Sequence, residues 1–236
     1  MFKGKRIIGV IPARSGSRRL PGKNARDLCG KPLTVHAIEQ AKKSRYLDEV
    51  LVSTDSRFIA RMSKRHGACV PFLRPRKLAT DSAKTIDVID HALGRVFQEG
   101  AKYDVVVLLQ PTSPLRLPSD IDNAIRELFL KNARAVVSVC ETEHHPYWTN
   151  TLPKDRCMKD FVRLESENKN KQELPSLYRL NGAVYVAYTD YLRKRRGWFG
   201  DHTYAYVMPR ERSVDIDDKL DWKLAELLMK RGGSIR

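Results

Sequence analysis

The stretch IPARSGSRRLPGKN, Ile11 to Asn24, sets Arg14, Arg18, Arg19 and Lys23 within ten residues of one another, interleaved with Ser15, Gly16, Ser17 and Gly22. That mixture suits a polyphosphate: the cations offset its charge, and backbone amides beside small residues approach its oxygens closely. Neither GxxxxGK[ST] nor GxGxxG is present, so the stretch is neither a Walker loop nor a dinucleotide fingerprint. The plain alternative is a solvated basic loop.

Near the other end of the chain, SVDID places Asp215 and Asp217 at alternate positions. On an extended segment both side chains then point to one face, where two carboxylates can share a divalent cation. The competing reading is that Asp217 caps the helix that follows and Asp215 is merely exposed. His144 and His145 point apart on an extended chain, no third ligand is spaced to join them, and a structural role fits them better. His36, His66, His91 and His202 form no better constellation, and no Ser/His/Asp order stands out. Cys29, Cys69, Cys140 and Cys157 contain no CxxC pair, which argues for reduced packing thiols rather than a zinc cluster or disulfide framework.

These residues need a scaffold. Short β-branched runs at Ile7 to Ile11, Val50 to Ser53, Val105 to Leu109 and Ala135 to Val139 read as buried strands. Between them, Leu33 to Lys43 and Ile121 to Leu130 carry apolar residues near a 3.6-residue period. Strands alternating with helices imply right-handed crossovers and a mostly parallel sheet, with ligands bound beyond the carboxyl ends of the strands. The basic stretch follows the first strand, which is such a position. From Glu141 to Leu180 the chain is polar and aperiodic, the mark of an insertion or arm. Strand character returns at Gly182 to Tyr188 and Thr203 to Met208. Asp217 to Arg231 closes as an amphipathic helix with Leu220, Leu224, Leu227 and Leu228 on one side and Gly232 as its stop.

The 236 residues suit a single domain over 1–236 with 141–180 as an arm within it. Lys and Arg outnumber Asp and Glu by 44 to 28, a formal charge of +16, so an anionic partner is expected. Charge alone leaves nucleic acid, anionic lipid, a nucleoside triphosphate and simple solubility open. No apolar run approaches a membrane span and no cleavable signal precedes the first strand, so a cytoplasmic protein is expected.

The basic stretch is also where a family resemblance becomes visible. It resembles the signature of the acylneuraminate cytidylyltransferases, the CMP-sialic acid synthetases and their relatives for legionaminic and pseudaminic acids. Further matches follow in order: VSTD at Val52 to Asp55, FLRP at Phe72 to Pro75, LATDSAKT at Leu78 to Thr85, QPTSPLR at Gln110 to Arg116, EHHP at Glu143 to Pro146, NGAVYV at Asn181 to Val186 and SVDID at Ser213 to Asp217. Together they span nearly the whole chain.

The resemblance implies an α/β fold of the nucleotide-diphospho-sugar transferase type: a Rossmann-like, mostly parallel sheet flanked by helices, with residues 141–180 as a dimerisation arm. It implies transfer of CMP from CTP to the anomeric hydroxyl of an acidic nine-carbon sugar by a cytoplasmic homodimer, with no nucleic acid and no membrane. Arg14, Arg18, Lys23 and Asp217 would be catalytic. Ala13, Ser17, Asn24, Arg74 and Thr85 would join Arg14, Arg18 and Lys23 around the nucleotide, and Asp215 with Asp217 would hold Mg²⁺. Gln110, Thr112, Ser113, Lys171, Arg179, Tyr185, Trp198 and Phe199 would face the sugar, the last two across the dimer.

Two positions depart from the family pattern. Arg18 stands where relatives usually carry Lys, replacing a compact ammonium with a planar fork, and Lys171 stands near a position usually held by Arg. The neighbouring reading is a synthetase for the eight-carbon acid Kdo; a reading from another class is a basic RNA-binding protein, prompted by the charge and RKRRGWF.

Overall fold

The computed structural model describes residues 1–162 and 166–232. Strand β1 (Ile7–Pro12) is followed by a small antiparallel pair, β2 (Asp27–Leu28) and β3 (Lys31–Pro32), then helix α1 (Leu33–Lys42), β4 (Glu49–Ser53), α2 (Arg57–Arg65) and α3 (Thr85–Gln98). After these come β5 (Val105–Leu108), α4 (Pro118–Leu130), β6 (Ala135–Glu141), β7 (Tyr178–Tyr188), α5 (Thr189–Arg195), β8 (Thr203–Val207) and α6 (Lys219–Gly232).

Among the described residues the main sheet has six strands in the order β4-β1-β5-β7-β6-β8. β4, β1 and β5 are mutually parallel, as are β6 and β8, and β7 runs antiparallel between β5 and β6. The mostly parallel sheet expected from the sequence is therefore present. Because β7 is reversed, its first residues lie at the edge where β1, β5 and β6 end, and Tyr185 pairs with Leu108.

Every residue of β5 is buried, yet alternation still sorts the side chains. Ile7, Ile11, Val105 and Val107 pack with α1, α2 and α4, whereas Ile8, Val10, Val106 and Leu108 pack with α3 and Leu192 of α5. Helices thus cover both faces, as parallel strands require. A third cluster lies at the edge, where Leu20, Leu28 and Leu33 meet Val214, Ile216, Trp222 and Ala225.

Three expectations change. The aperiodic stretch is shorter than 141–180, since β6 continues to Glu141 and β7 begins at Tyr178, where the two strands extend their pairing. Of the leucine stripe of α6 only Leu228 packs inward: Leu220, Leu224 and Leu227 are exposed, and Trp222 and Ala225 form the buried face, because Leu20 and Leu33 meet that side of the helix. The helix also runs through Gly232 rather than stopping before it.

Candidate functional site

The basic loop begins where β1 ends. Ala13 is fully buried and its amide donates to Ser53 O at 2.9 Å, continuing the β1–β4 ladder by one residue. Asp55 then fixes the turn, accepting from the Ser15 amide at 2.9 Å and the Ser15 hydroxyl at 2.5 Å. Burial alone would raise the Asp55 pKa, but these hydrogen bonds outweigh it and hold the carboxyl below its usual range. Asn24 Nδ2 donates to Arg14 O at 2.8 Å and closes the loop from its far side. Gly22 adopts φ 67°, a left-handed turn that glycine enters without steric cost, and Lys23 follows it inward.

Lys23 ties the two ends of the chain together. Its side chain is 10% exposed, and Nζ donates to Ile216 O at 2.5 Å and lies 3.5 Å from Asp217 Oδ1. The Ile216 amide donates to Thr112 O at 2.8 Å, fastening the acidic segment to the turn after β5. Ile216 is fully buried beneath, so its flanking residues Asp215 and Asp217 both face the cleft, as their spacing predicts. Asp217 does not cap α6. Asp218 does, accepting from the Leu220 and Asp221 amides at 2.8 and 3.1 Å, while Asp221 accepts from the amides of Asp217 and Asp218. The Asp217 carboxylate is left to Arg19, at 3.1 Å, and Lys23.

The result is a cleft of about 540 Å³ lined by residues from four separate stretches of chain. Among the expected site residues it brings together Arg14, Ser17, Arg18, Lys23, Asn24, Arg74, Thr85, Gln110, Thr112, Asp215 and Asp217. Arg74 is 5% exposed, and its Nε and Nη2 have no hydrogen-bond partner. Its 3.9 Å separation from Asp55 is a Coulombic contact too long to be a hydrogen bond. Burial lowers its pKa, opposed by Asp55 and reinforced by Arg14. Asn24 Oδ1 is likewise buried and unpartnered. Two unmet polar groups in one wall form a ready hydrogen-bonding surface for a polar ligand.

At the other wall, Asp215 Oδ1 is buried without a partner. Burial pushes the Asp215 pKa up, the neighbouring Asp217 charge adds to that, and Thr112 and Lys23 oppose it. Gly182, at φ 72°, leaves room for this arrangement: a Cβ there would stand 3.0 Å from Gln110 Oε1 and 3.4 Å from Asp215 Oδ2.

Several expected residues lie elsewhere. Ala13 does not line the cleft. Ser113 is fully buried, with its hydroxyl donating to Asn181 O at 3.4 Å. Tyr185 is 8% exposed and packs edge-on against Trp198, ring centroids 5.3 Å apart, so Trp198 is committed to the core of its own chain and only Phe199 is exposed. Burial raises the Tyr185 pKa and Asp215 adds to it, which places the phenol within electrostatic reach of the acidic segment. Lys171 Nζ donates to the carbonyls of Thr142 and Glu143. Arg179 grips Glu143 through Nε at 2.9 Å and Nη2 at 2.7 Å, holding that carboxyl at about 2. His145 Nε2 pairs with Pro175 O at 3.0 Å, a structural role in the arm.

Three contributors were not singled out from sequence. Asp55 and Asp81 were visible only as letters within VSTD and LATDSAKT, and Arg19, though counted among the loop cations, was given no site role. Asp81 pairs with Arg14 at 2.6 Å and also with Arg18. Its carboxyl is held below the usual range chiefly by the Arg14 hydrogen bond.

A family model described as Cytidylyltransferase matches residues 8–208. The chain is 38% identical over 232 residues to CMP-N,N'-diacetyllegionaminic acid synthase of Legionella pneumophila, covering 95% of this chain and 97% of that one. It is 36% identical to N-acylneuraminate cytidylyltransferase of Escherichia coli over 96% of this chain, although it spans only 52% of that longer protein. Pseudaminic acid cytidylyltransferase of Campylobacter jejuni is 32% identical over 94% of this chain and 95% of its own length. Among solved structures, a CMP:2-keto-3-deoxy-manno-octonic acid synthetase complexed with CTP superposes with a TM-score of 0.72 at 17% identity, covering 96% of this chain and 99% of that one. The 4-diphosphocytidyl-2C-methyl-D-erythritol synthase of Anaerococcus prevotii gives 0.65 at 13% identity, covering 97% of each chain. At those identities the superpositions show the fold, which is that of the nucleotide-diphospho-sugar transferases.

Proposed function

The chain belongs to the cytidylyltransferase family, and from that premise we propose that it transfers CMP from CTP to the anomeric hydroxyl of an acidic nine-carbon 2-keto-3-deoxy sugar, releasing pyrophosphate. The observation that carries this reading is the convergence in one cleft of four loop cations, two carboxylates on an alternating segment, and a buried guanidinium without hydrogen-bond partners on Nε and Nη2.

In the proposal Arg14, Arg18, Arg19 and Lys23 hold the triphosphate, and Arg74, Asn24 and Thr85 hold the cytidine. Gln110 and Thr112 orient the sugar hydroxyls. The donor set fits Mg²⁺, which takes one or two protein carboxylates and completes its shell with phosphate oxygens and water; the orphaned Asp215 Oδ1 and the adjacent Asp217 supply that pair. When bound, the ion would neutralise charge developing on the phosphate oxygens. The sugar oxygen bonds to the α-phosphorus as the bond from that phosphorus to the pyrophosphate oxygen breaks, and the hydroxyl proton passes to solvent. The chain's own residues contribute positioning and charge complementarity, with no covalent enzyme intermediate.

The proposal extends to a homodimer associating through the arm between β6 and β7, and to a cytoplasmic protein. None of the helices among the described residues is long and apolar enough to cross a membrane. Exchange of Glu143 for the sugar carboxylate would free Arg179 to bind it. The test is pyrophosphate release from CTP with Mg²⁺ across sialic, legionaminic, pseudaminic and eight-carbon acids. Release with a nine-carbon acid supports the assignment; release only with the eight-carbon acid moves the chain to the Kdo reading.

A further inference from the structure

The phosphate cradle has an acidic occupant of its own. Asp81 sits on a tight turn in which the Ala83 amide donates to Thr80 O at 3.3 Å, at the rim of the cleft between the short helical turn Arg76–Leu78 and α3. One of its carboxylate oxygens meets Arg14 Nη2 at 2.6 Å and the other meets Arg18 Nε. A single carboxylate therefore bridges two guanidinium groups through separate oxygens, the pattern in which a phosphate group would engage them.

We propose that Asp81 is a counter-anion of the cradle, competing with phosphate oxygens for Arg14 and Arg18 and so weakening the hold on the departing pyrophosphate. The inference rests on the cradle reading of the preceding subsection. Three features distinguish it from an ordinary surface ion pair. Both guanidinium groups belong to the loop that also carries Arg19 and Lys23, so the carboxylate and a phosphate chain draw on the same donors. Asp81 itself is 38% exposed and lies outside any helix or strand, so it can exchange for another anion without unfolding an element. The other cations of the loop, Arg19 and Lys23, pair with Asp217 instead, so the counter-anion function is divided between two carboxylates.

The physical consequence follows from linkage. A group that occupies the donors when the ligand is absent must be displaced on binding, and the apparent affinity falls by the free energy of that displacement. Phosphate chains carry more charge and more acceptor oxygens than a carboxylate, so they win the competition while binding less tightly than the bare cations would allow. As pyrophosphate leaves, Asp81 recaptures Arg14 and Arg18, which favours release over rebinding.

The experiment is calorimetric titration of inorganic pyrophosphate, without divalent cation, into the intact protein and its Asp81→Asn, Asp81→Ala, Arg14→Ala and Arg18→Ala variants. Two exposed ion pairs predict roughly 3- to 10-fold tighter pyrophosphate binding for Asp81→Asn and Asp81→Ala. The gain should shrink in the Asp81→Asn/Arg18→Ala double variant, since direct competition needs the shared guanidinium; a general change in local charge would leave it intact. An unchanged or weaker affinity in both Asp81 variants, or a gain that persists fully in the double variant, overturns the inference while leaving the cradle standing. If Arg14→Ala leaves pyrophosphate binding unchanged, the cradle reading itself fails and takes this inference with it. Unaltered thermal midpoints of the Asp81 variants would show that the effect arises from binding rather than folding.

Discussion

Replacing Asp215 by Asn should stabilise the metal-free protein at neutral pH while abolishing turnover. The residue is half-buried, and its Oδ1 is buried without a hydrogen-bond partner. Burial and the Asp217 charge both disfavour its ionised form. Asn leaves a polar atom in the same place but removes the charge that burial penalises, and with partial solvent access that difference is worth about 1–2 kcal/mol. For a chain of this size each kcal/mol moves the melting temperature by about 2–4 °C, so the Asn variant should melt about 2–8 °C higher. The sign with pH follows from the raised pKa. A carboxyl that binds its proton more tightly when folded favours folding at acid pH, and that contribution is lost as pH rises through the folded pKa. The advantage of Asp215→Asn should therefore be present at about pH 8 and fade toward about pH 4. Thermal melts with a chelator at both pH values measure it, alongside pyrophosphate release with Mg²⁺. A lower melting temperature at pH 8, or a gain that is equal at both pH values, would refute the reasoning.

Asp120 is 1% exposed at its side chain and accepts from the Leu117 amide at 2.8 Å, the Tyr206 hydroxyl at 3.1 Å, and Arg212 Nε and Nη2 at 3.1 and 2.9 Å. Asp120→Ala should cost about 3–5 kcal/mol in urea unfolding by stranding these donors, and a loss below about 1 kcal/mol would contradict it. Gly182→Ala should lower kcat by about tenfold or more and stability by about 1 kcal/mol, because its φ of 72° strains an alanine and the new Cβ meets Gln110 Oε1 at 3.0 Å. Normal turnover in that variant would remove Gln110 and Asp215 from the reacting end of the cleft. Arg74→Ala should lower kcat/KM for CTP by roughly 10- to 150-fold, the value of a charged hydrogen bond, with no loss of melting temperature, since the side chain leaves two donors unpartnered in the free protein. A fall in stability without a change in CTP use would place Arg74 in the fold rather than the site.

The strands and the basic loop were legible in the sequence because both are local signals. Four short β-branched runs became β1, β4, β5 and β6 almost residue for residue, since a strand buried on both faces has little other composition available. Asp215 and Asp217 share a face because alternation is a property of the extended backbone, whatever surrounds it. The direction of β7 and the burial of Trp222 in place of most of the α6 leucines were decided by the tertiary structure: the alternative stripe meets Leu20 and Leu33, which no periodicity within α6 records. The same holds for the charges. Which cation meets which acid depends on pairs such as Lys23 and Asp217, 194 residues apart, and on Asp81 reaching Arg14 across the cleft. The sequence alone placed four cations, Arg14, Arg18, Arg19 and Lys23, just beyond the first strand. Only the folding of distant segments onto one sheet edge, driven by apolar burial beneath Ile216 and Leu20, determined which carboxylates share that site, because Coulomb energies depend on separation in space and not along the chain.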